Sequence, residues 1–206
     1  MTTLDASRLP FADPPHDRAA DRLGATGFGF YVYLLSDAIL FASLFAAFAV
    51  LHRATAGGPT GPEVFKLPGV LLETACLLVS SFTCGLAMIA ANAGRKLALT
   101  GFLAITFALG AAFLGLEVSE FTRMIAEGAG PDRSAFLSGF FTLVGAHGLH
   151  ITVGLAWILI LFGQLWRDGF GPGFSRRIFC FSLFWHVLDV VWIAIFTFVY
   201  LIGSQP

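Results

Sequence analysis

Residues 135–166 read AFLSGFFTLVGAHGLHITVGLAWILILFGQLW and contain no Asp, Glu, Lys or Arg. A helix needs about 20 predominantly apolar residues to cross the hydrocarbon core of a bilayer. This stretch is therefore long enough to predict a transmembrane helix. Four further stretches meet the same requirement, and the predicted spans are, in chain order, 28–51, 67–91, 97–121, 135–166 and 178–202. The sequence thus predicts an all-α protein, a polytopic membrane bundle of five transmembrane helices.

The composition agrees with a membrane protein. Of the 206 residues, 57% are hydrophobic and 12% are charged, whereas charged residues make up about a quarter of a typical soluble domain. The formal net charge is −1, so the chain lacks the basic character of nucleic-acid-binding proteins, and we expect no nucleic-acid partner. The cysteines Cys76, Cys84 and Cys180 lie in apolar stretches without a CxxC pair, which is typical of buried structural thiols.

The distribution of Lys and Arg predicts the orientation. Eight basic residues fall on one side of the predicted bundle: Arg8, Arg18, Arg22, Arg95, Lys96, Arg167, Arg176 and Arg177. Four fall on the other side: Arg53, Lys66, Arg123 and Arg133. Because cytoplasmic segments carry the excess of Lys and Arg, we predict a cytoplasmic N-terminus and a periplasmic C-terminus. Residues 1–25 are polar and predict a flexible cytoplasmic tail, which the transmembrane domain, 26–206, follows.

Every predicted span contains an ionisable side chain. The set is Asp37, Glu73, Glu117, Glu120, His147, His150, His186 and Asp189. Such groups cost several kcal/mol in hydrocarbon unless they are paired, neutralised or turned away from lipid. Three uses stay open at this point, namely holding helices together, docking a partner and handling protons.

Depth along the helices suggests which of these groups meet. At about 1.5 Å per residue, Asp37, His186 and Asp189 can share one level of the bundle. His186 and Asp189 are three residues apart and share a helix face, so we expect His186 to bond either Asp189 or Asp37. We interpret most of the set as structural polar contacts: Glu73, Glu117, Glu120, His147, His150, His186 and Asp189. Asp37 stays open between a buried structural contact and a proton-linked role.

Metal and haem sites are disfavoured by the same geometry. A membrane dihaem cytochrome needs facing His ligands at matched depth, but His147 and His186 differ by about 13 Å and His150 and His186 by about 9 Å. We therefore predict no metal site in this chain. The basic residues Arg95, Lys96, Arg176 and Arg177 are candidates for binding lipid headgroups, with plain topology-setting charge as the alternative.

Four motifs resemble a known family. Residues 182–192, SLFWHVLDVVW, resemble the last helix of subunit III of the haem–copper terminal oxidases. Residues 145–150, GAHGLH, resemble its G-x-H-G-x-H helix, residues 116–121, LEVSEF, its Glu-bearing helix, and residues 35–37, LSD, its Ser-Glu/Asp element. The motifs occur in the family's order over nearly the whole chain, so the joint match is specific.

The branch of the family is indicated by length and by three further motifs. Cytochrome c oxidase subunit III usually has seven helices, and the five-helix form is typical of quinol oxidases. Residues 57–61, GGPTG, 65–68, FKLP, and 130–134, GPDRS, resemble the bacterial cytochrome o ubiquinol oxidase subunit III. A cytochrome c or menaquinol oxidase subunit III is the nearest alternative, and an independent proton-linked carrier or a haem-bearing cytochrome is more distant.

The resemblance implies a non-catalytic subunit in the bacterial inner membrane. In this family subunit I holds haem b, haem o and copper, and ubiquinone belongs to the complex. The implied partners are subunits I, II and IV together with phospholipids, and the implied role is to stabilise subunit I and assist proton uptake. By resemblance, Asp37 matches the family's buried carboxylate, which is commonly Glu. The implied cofactors of this chain itself are none.

Overall fold

The computed structural model describes residues 15–167, 169 and 171–203, with side chains described from residue 27 onward except at Pro172. Within this part the chain forms helices and no strand. The helices are α1 (Pro15–Leu51), the short α2 (Gly61–Val64), α3 (Leu67–Asn92), α4 (Lys96–Ala126), α5 (Ala135–Arg167) and α6 (Pro172–Ile195). A π-helical segment, Phe196–Leu201, continues α6 directly.

Five of these helical stretches are long and apolar enough to cross a membrane. They are Gly27–Leu51, Leu67–Asn92, Lys96–Ala126, Ala135–Arg167 and Gly173–Leu201. The predicted all-α bundle of five transmembrane helices is therefore confirmed. Residues 1–14 of the predicted tail lie outside the described residues, and α1 begins at Pro15.

Besides α1, helices α4 and α6 also extend well beyond the apolar stretches that predicted them. The predicted third span ends at 121, but α4 continues to Ala126 because Arg123 pairs with Glu120 and Glu127 along the same helix face. The predicted last span starts at 178, but α6 begins at Pro172, since proline is favoured in the first turn of a helix. Both helices therefore continue through polar residues beyond the apolar stretches that predicted them.

Tight turns that contain a glycine with positive φ end α3 and α4. Gly94, with φ 68°, ends α3, and the amide of Arg95 donates to the carbonyl of Ala90 at 3.0 Å. Gly128, with φ 79°, ends α4 in the same way, and Ala129 donates to Met124 at 2.9 Å. Both arrangements satisfy the last carbonyls of a helix through a left-handed glycine. The tight turn at Gly94 makes α3 and α4 antiparallel neighbours.

The long helices form a ring of four with α1 on one side. Helix α3 packs on α4, α4 on α5, α5 on α6, and α6 returns to α3. Helix α1 packs on α5 and α6. We call one end of the bundle the Gly58 end, which holds residues 52–66, 127–134 and 203, and the other the Gly94 end, which holds residues 93–95, 169 and 171.

Trp185 of α6 lies at the centre of the ring. A Cβ added at Gly110 of α4 would lie 2.9 Å from Cη2 of Trp185, and one added at Gly154 of α5 would lie 2.6 Å from Cζ3. The indole N–H donates to Oγ of Ser80 on α3 at 3.0 Å. The two glycines therefore make room for one indole that contacts all four helices of the ring.

Candidate functional site

Asp37 of α1 contacts His150 of α5 inside the bundle. Oδ1 of Asp37 lies 2.9 Å from Nε2 of His150, and the side chains are 8% and 18% exposed, respectively. Nδ1 of His150 lies 2.7 Å from the carbonyl oxygen of Ala146, one turn earlier in α5. The Phe41 ring packs against the imidazole with its centroid 5.1 Å away. The Asp37–His150 pair thus lies between α1 and α5, and the Phe41 ring packs against it.

The hydrogen bonds of His150 restrict how the pair carries its proton. A carbonyl oxygen only accepts, so Nδ1 of His150 must carry a hydrogen and donate to Ala146. The bond at Nε2 then forms either from an imidazolium to the Asp37 carboxylate, or from a neutral Asp37 carboxylic acid to a neutral imidazole. Both forms hold the same number of protons and have no net charge. This explains how the pair is tolerated in a nonpolar environment.

Asp37 contacts a different histidine from His186, which was expected as a possible partner because both residues can lie at the same depth in the bundle. The structure places His150, and not His186, against Asp37. Helix α1 packs on α5 along its length, so the side chain at 37 faces the α5 imidazole. Residue counting measures position along a helix axis and gives no information on which neighbour a side chain faces.

His186 and Asp189 form a second polar group between α3 and α6. Nδ1 of His186 lies 2.7 Å from Oγ of Ser81, a residue of α3 that the sequence pattern did not single out. The Asp189 carboxyl lies beside both Ser81 and His186, while its Oδ1 has no hydrogen-bond partner among the described residues. The expected proximity of His186 and Asp189 is present, with Ser81 as the link to α3.

A third polar group contains three carboxyls and lies toward the Gly58 end. Glu73 of α3 and Glu117 of α4 are buried, and Glu120 lies next to them. Arg123 binds Glu120 through Nε and Nη2 and binds Glu127 through Nη1 at 2.6 Å. Nη2 of Arg123 also donates to the carbonyl of Val64 in α2 at 3.2 Å. Arg123 therefore fastens the connection between α1 and α3 onto α4.

His147 is packed by aromatic rings instead of by hydrogen bonds. The side chain is fully buried, and neither ring nitrogen has a hydrogen-bond partner among the described residues. Its ring centroid lies 5.2 Å from that of Trp192 and 5.7 Å from that of Phe113, to which it is perpendicular. His147 and His150 are thus in different surroundings, although they are three residues apart. Across the described ranges, no three His, Cys, Asp or Glu side chains are grouped so that they could hold a metal ion.

A comparison with protein families shows to which family this helix bundle belongs. The family model described as cytochrome c oxidase subunit III matches residues 16–204. The chain belongs to the cytochrome c oxidase subunit III family. The family resemblance predicted from the four motifs is therefore confirmed, and the chain is an integral membrane protein with five apolar helices of spanning length.

Individual relatives of this subunit III carry quinol oxidase names. The chain is 57% identical over 189 residues to cytochrome bo(3) ubiquinol oxidase subunit 3 of Pseudomonas aeruginosa, which covers 92% of this chain and 90% of the relative. It is 54% identical over 178 residues to the protein of the same name from Pseudomonas putida, covering 86% of each. It is 47% identical over 175 residues to quinol oxidase subunit 3 of Bacillus subtilis, covering 85% of this chain and 86% of the relative.

The basic residues of this subunit III that were singled out as headgroup candidates lie at the Gly94 end. Arg95 and Lys96 lie at the turn between α3 and α4 and are exposed. Arg176 and Arg177 lie in the first turns of α6. Lys96 reaches toward the turn before α6, because a Cβ added at Gly169 would lie 3.2 Å from its Nζ. The two pairs thus lie at the same end of the bundle.

A groove opens at the opposite, Gly58 end of the subunit. It has a volume of about 1030 Å³ and lies between α1 and the π-helical continuation of α6. Its lining includes the aromatic rings of Phe45, Phe48, Phe136 and Phe198. His52 and Arg53 lie at its rim where α1 ends, and both are exposed. The groove was not predicted, because its residues are distant in sequence and individually resemble ordinary apolar helix residues.

Proposed function

We propose that this chain is the non-catalytic subunit III of a bacterial ubiquinol oxidase complex that takes part in aerobic respiration. Two relatives, 57% and 54% identical to this chain over most of their length, are named ubiquinol oxidase subunit 3. Their names support the quinol oxidase branch of the family. In this proposal the chain packs against subunit I in the inner membrane, with subunits II and IV as further partners. Its N-terminus is cytoplasmic and its C-terminus periplasmic, as the distribution of Lys and Arg predicts.

The observation that carries the non-catalytic assignment is how the intramembrane imidazoles are used. His150 binds Asp37, His186 binds Ser81, and His147 is enclosed by rings. These side chains join one helix to another, and their arrangement does not fit haem or copper ligation within the described part of the chain. We therefore assign haem b, haem o and copper to subunit I, and ubiquinone to the complex.

Phospholipid is the proposed small partner of the subunit. The basic residues Arg95, Lys96, Arg176 and Arg177 at the Gly94 end provide guanidinium and ammonium donors for a headgroup phosphate. At the Gly58 end, the aromatic groove with Arg53 at its rim matches an acyl chain and an anionic headgroup. Bound lipid would join this subunit to its neighbours without requiring a direct protein contact at every point.

Co-purification tests this proposal. An affinity-tagged form of the chain, extracted in mild detergent, is expected to bring down a larger haem-containing chain, and the complex is expected to oxidise ubiquinol. The tagged chain separated from its partners is expected to show no haem absorption. A Soret band retained by the isolated chain would contradict the non-catalytic role, whereas oxidation of reduced cytochrome c or menaquinol in preference to ubiquinol would correct the branch.

The alternative of an independent proton-linked carrier is tested in the same preparation. A carrier would be purified alone, and after reconstitution into vesicles it would move protons or a solute without the haem-containing chain. The proposed subunit is expected to show no such transport when it is reconstituted by itself. The Asp37–His150 pair would be the group to examine first if transport were found, because it joins two helices through a single shared proton.

A further inference from the structure

Two carboxyl groups are buried in the part of the bundle where α3 packs on α4. Glu73 and Glu117 are each 4% exposed. Glu117 lies within electrostatic range of Glu73, and Glu73 lies within electrostatic range of Glu120. Three carboxyls from two antiparallel helices therefore act on one another, and two of them have almost no access to the surroundings of the bundle.

The positive charge of Arg123, beside this cluster, is already paired with carboxylates other than those of Glu73 and Glu117. Arg123 directs Nε and Nη2 to Glu120, Nη1 to Glu127, and Nη2 also to the carbonyl of Val64. Glu120 is thus neutralised by an ion pair. Glu73 and Glu117 receive no N–H from Arg123, because its donor groups point to these other oxygens.

The surroundings of Glu117 are closely packed and poor in hydrogen bonds. On the α5 side, a Cβ added at Gly148 would lie 2.6 Å from Oε1 of Glu117, so the carboxyl lies directly on the backbone of α5. Oε2 of Glu117 is buried without a hydrogen-bond partner among the described residues. His147, which precedes Gly148, packs against Phe113 and Trp192.

The side of the cluster that faces α6 is closed by Tyr200. This side chain is 2% exposed, and its phenol lies in electrostatic range of Glu73, Glu117 and Glu120. A phenol offers a hydrogen-bond donor and no positive charge at neutral pH. The polar groups described around the two buried carboxyls are therefore a phenol, the glycine backbone of α5 and an ion pair that is already complete.

Two adjacent anions in such a site would be unfavourable on two counts. A buried charge without a partner loses its hydration and gains nothing in return. Two carboxylates that share a site also repel each other, and the usual result is that one of them keeps its proton. A neutral carboxylic acid removes the repulsion and can donate a hydrogen bond to a neighbouring oxygen.

We propose that Glu73 and Glu117 hold a proton between them, so that at least one of the two is a neutral carboxylic acid in the folded subunit. This buried acid is a second proton-holding site in the bundle, separate from the Asp37–His150 pair between α1 and α5. The inference depends on burial and charge within this one chain, and it holds whichever electron donor the complex uses.

Infrared spectroscopy of the purified complex at neutral pH tests the proposal. The carbonyl-stretch band of protonated carboxylic acids is compared, in H₂O and D₂O, between the wild type and the double variant Glu73→Gln/Glu117→Gln. The double variant is expected to lose the intensity of at least one acid. The single variants Glu73→Gln and Glu117→Gln, which preserve side-chain shape, show which residue holds the proton. An unchanged band in the double variant and in both single variants would overturn the proposal.

Two matched controls separate this result from a general structural effect. Glu120→Gln removes a carboxyl of the same cluster that is paired with Arg123, and Glu127→Gln removes an exposed one. Neither control is expected to reduce the band. Thermal dissociation of subunit III from the complex gives an independent readout, since at least one of Glu73→Gln and Glu117→Gln should destabilise it less than Glu120→Gln. If both single variants destabilise it more than Glu120→Gln does, neither carboxyl is the neutral acid, and the proposal is overturned.

Discussion

Asp37 connects α1 to the ring of four helices through one shared proton. Its Oδ1 lies 2.9 Å from Nε2 of His150, whose other ring nitrogen is bound to the Ala146 carbonyl. The carboxyl is therefore held against the imidazole of α5.

Two substitutions of Asp37 distinguish the effect of its contact with His150 from the effect of its charge. Asp37→Asn can still hydrogen-bond His150, so we expect assembly close to that of the wild type, with a shorter active lifetime during turnover if the charge matters. Asp37→Leu leaves a buried ring nitrogen unpaired, at a cost of about 1–3 kcal/mol, and is expected to lower the amount of subunit III per haem in the purified complex. Equal subunit content in the two variants would contradict the pairing.

The Ser81–His186–Asp189 group makes a comparable prediction between α3 and α6. His186→Leu removes the partner of the Ser81 hydroxyl and leaves Asp189 with one neighbour fewer, so we expect a loss of about 1–3 kcal/mol. The measurement is the temperature at which subunit III dissociates from the complex. Ser43→Ala is the control, because the exposed Ser43 hydroxyl donates to the Ile39 carbonyl of its own helix, α1, at 2.6 Å and links no second helix in that bond. A dissociation temperature that is equally unaffected in both variants would argue against this group as an interhelical link.

At the scale of the helices, close approach depends on glycines that meet a tryptophan. Gly154→Ala would place a methyl group 2.6 Å from Cζ3 and 2.9 Å from Cε3 of Trp185. Because the indole is enclosed by four helices, it cannot move away, and overpacking of this kind costs about 1–3 kcal/mol. Gly163 lies on the same helix with no atom near its added Cβ.

The matched pair Gly154→Ala and Gly163→Ala tests this packing. We expect Gly154→Ala to lower the thermal stability of the complex-bound subunit and Gly163→Ala to leave it unchanged or raise it by up to about 1 kcal/mol through helix propensity. Differential scanning calorimetry or a thermal dissociation assay gives both values under one condition. Similar effects of the two variants would show that Trp185 does not require a glycine at position 154.

The sequence predicted the helices better than it predicted their contacts. Apolar length alone indicates the five spans, because a membrane allows few alternatives to a helix of about 20 residues. The proximity of His186 and Asp189 also follows from their spacing on one helix. The pairing of Asp37 with His150 did not follow, since it depends on how α1 is rotated against α5. Ser81 was missed for a similar reason, because a serine in an apolar span has no pattern that reveals its partner.

At the scale of the whole molecule, the polar groups lie at the junctions between helices. Asp37 and His150 join α1 to α5, Ser81 and His186 join α3 to α6, and Arg123 joins α4 to α2. Each group replaces hydration with a contact across helices, which explains how Asp37, His150 and His186 can be kept in the spans. The protein is therefore built as a cohesive bundle, and its proposed role beside a haem-bearing subunit follows from family membership together with this cohesion.

A density map of the assembled oxidase complex tests the central claim most directly. The account predicts that this chain packs as five spanning helices against the subunit that holds haem and copper. It also predicts that His147, His150 and His186 keep the intrachain contacts described above, without metal density beside them. A map in which any of these imidazoles ligates haem iron or copper would contradict the account.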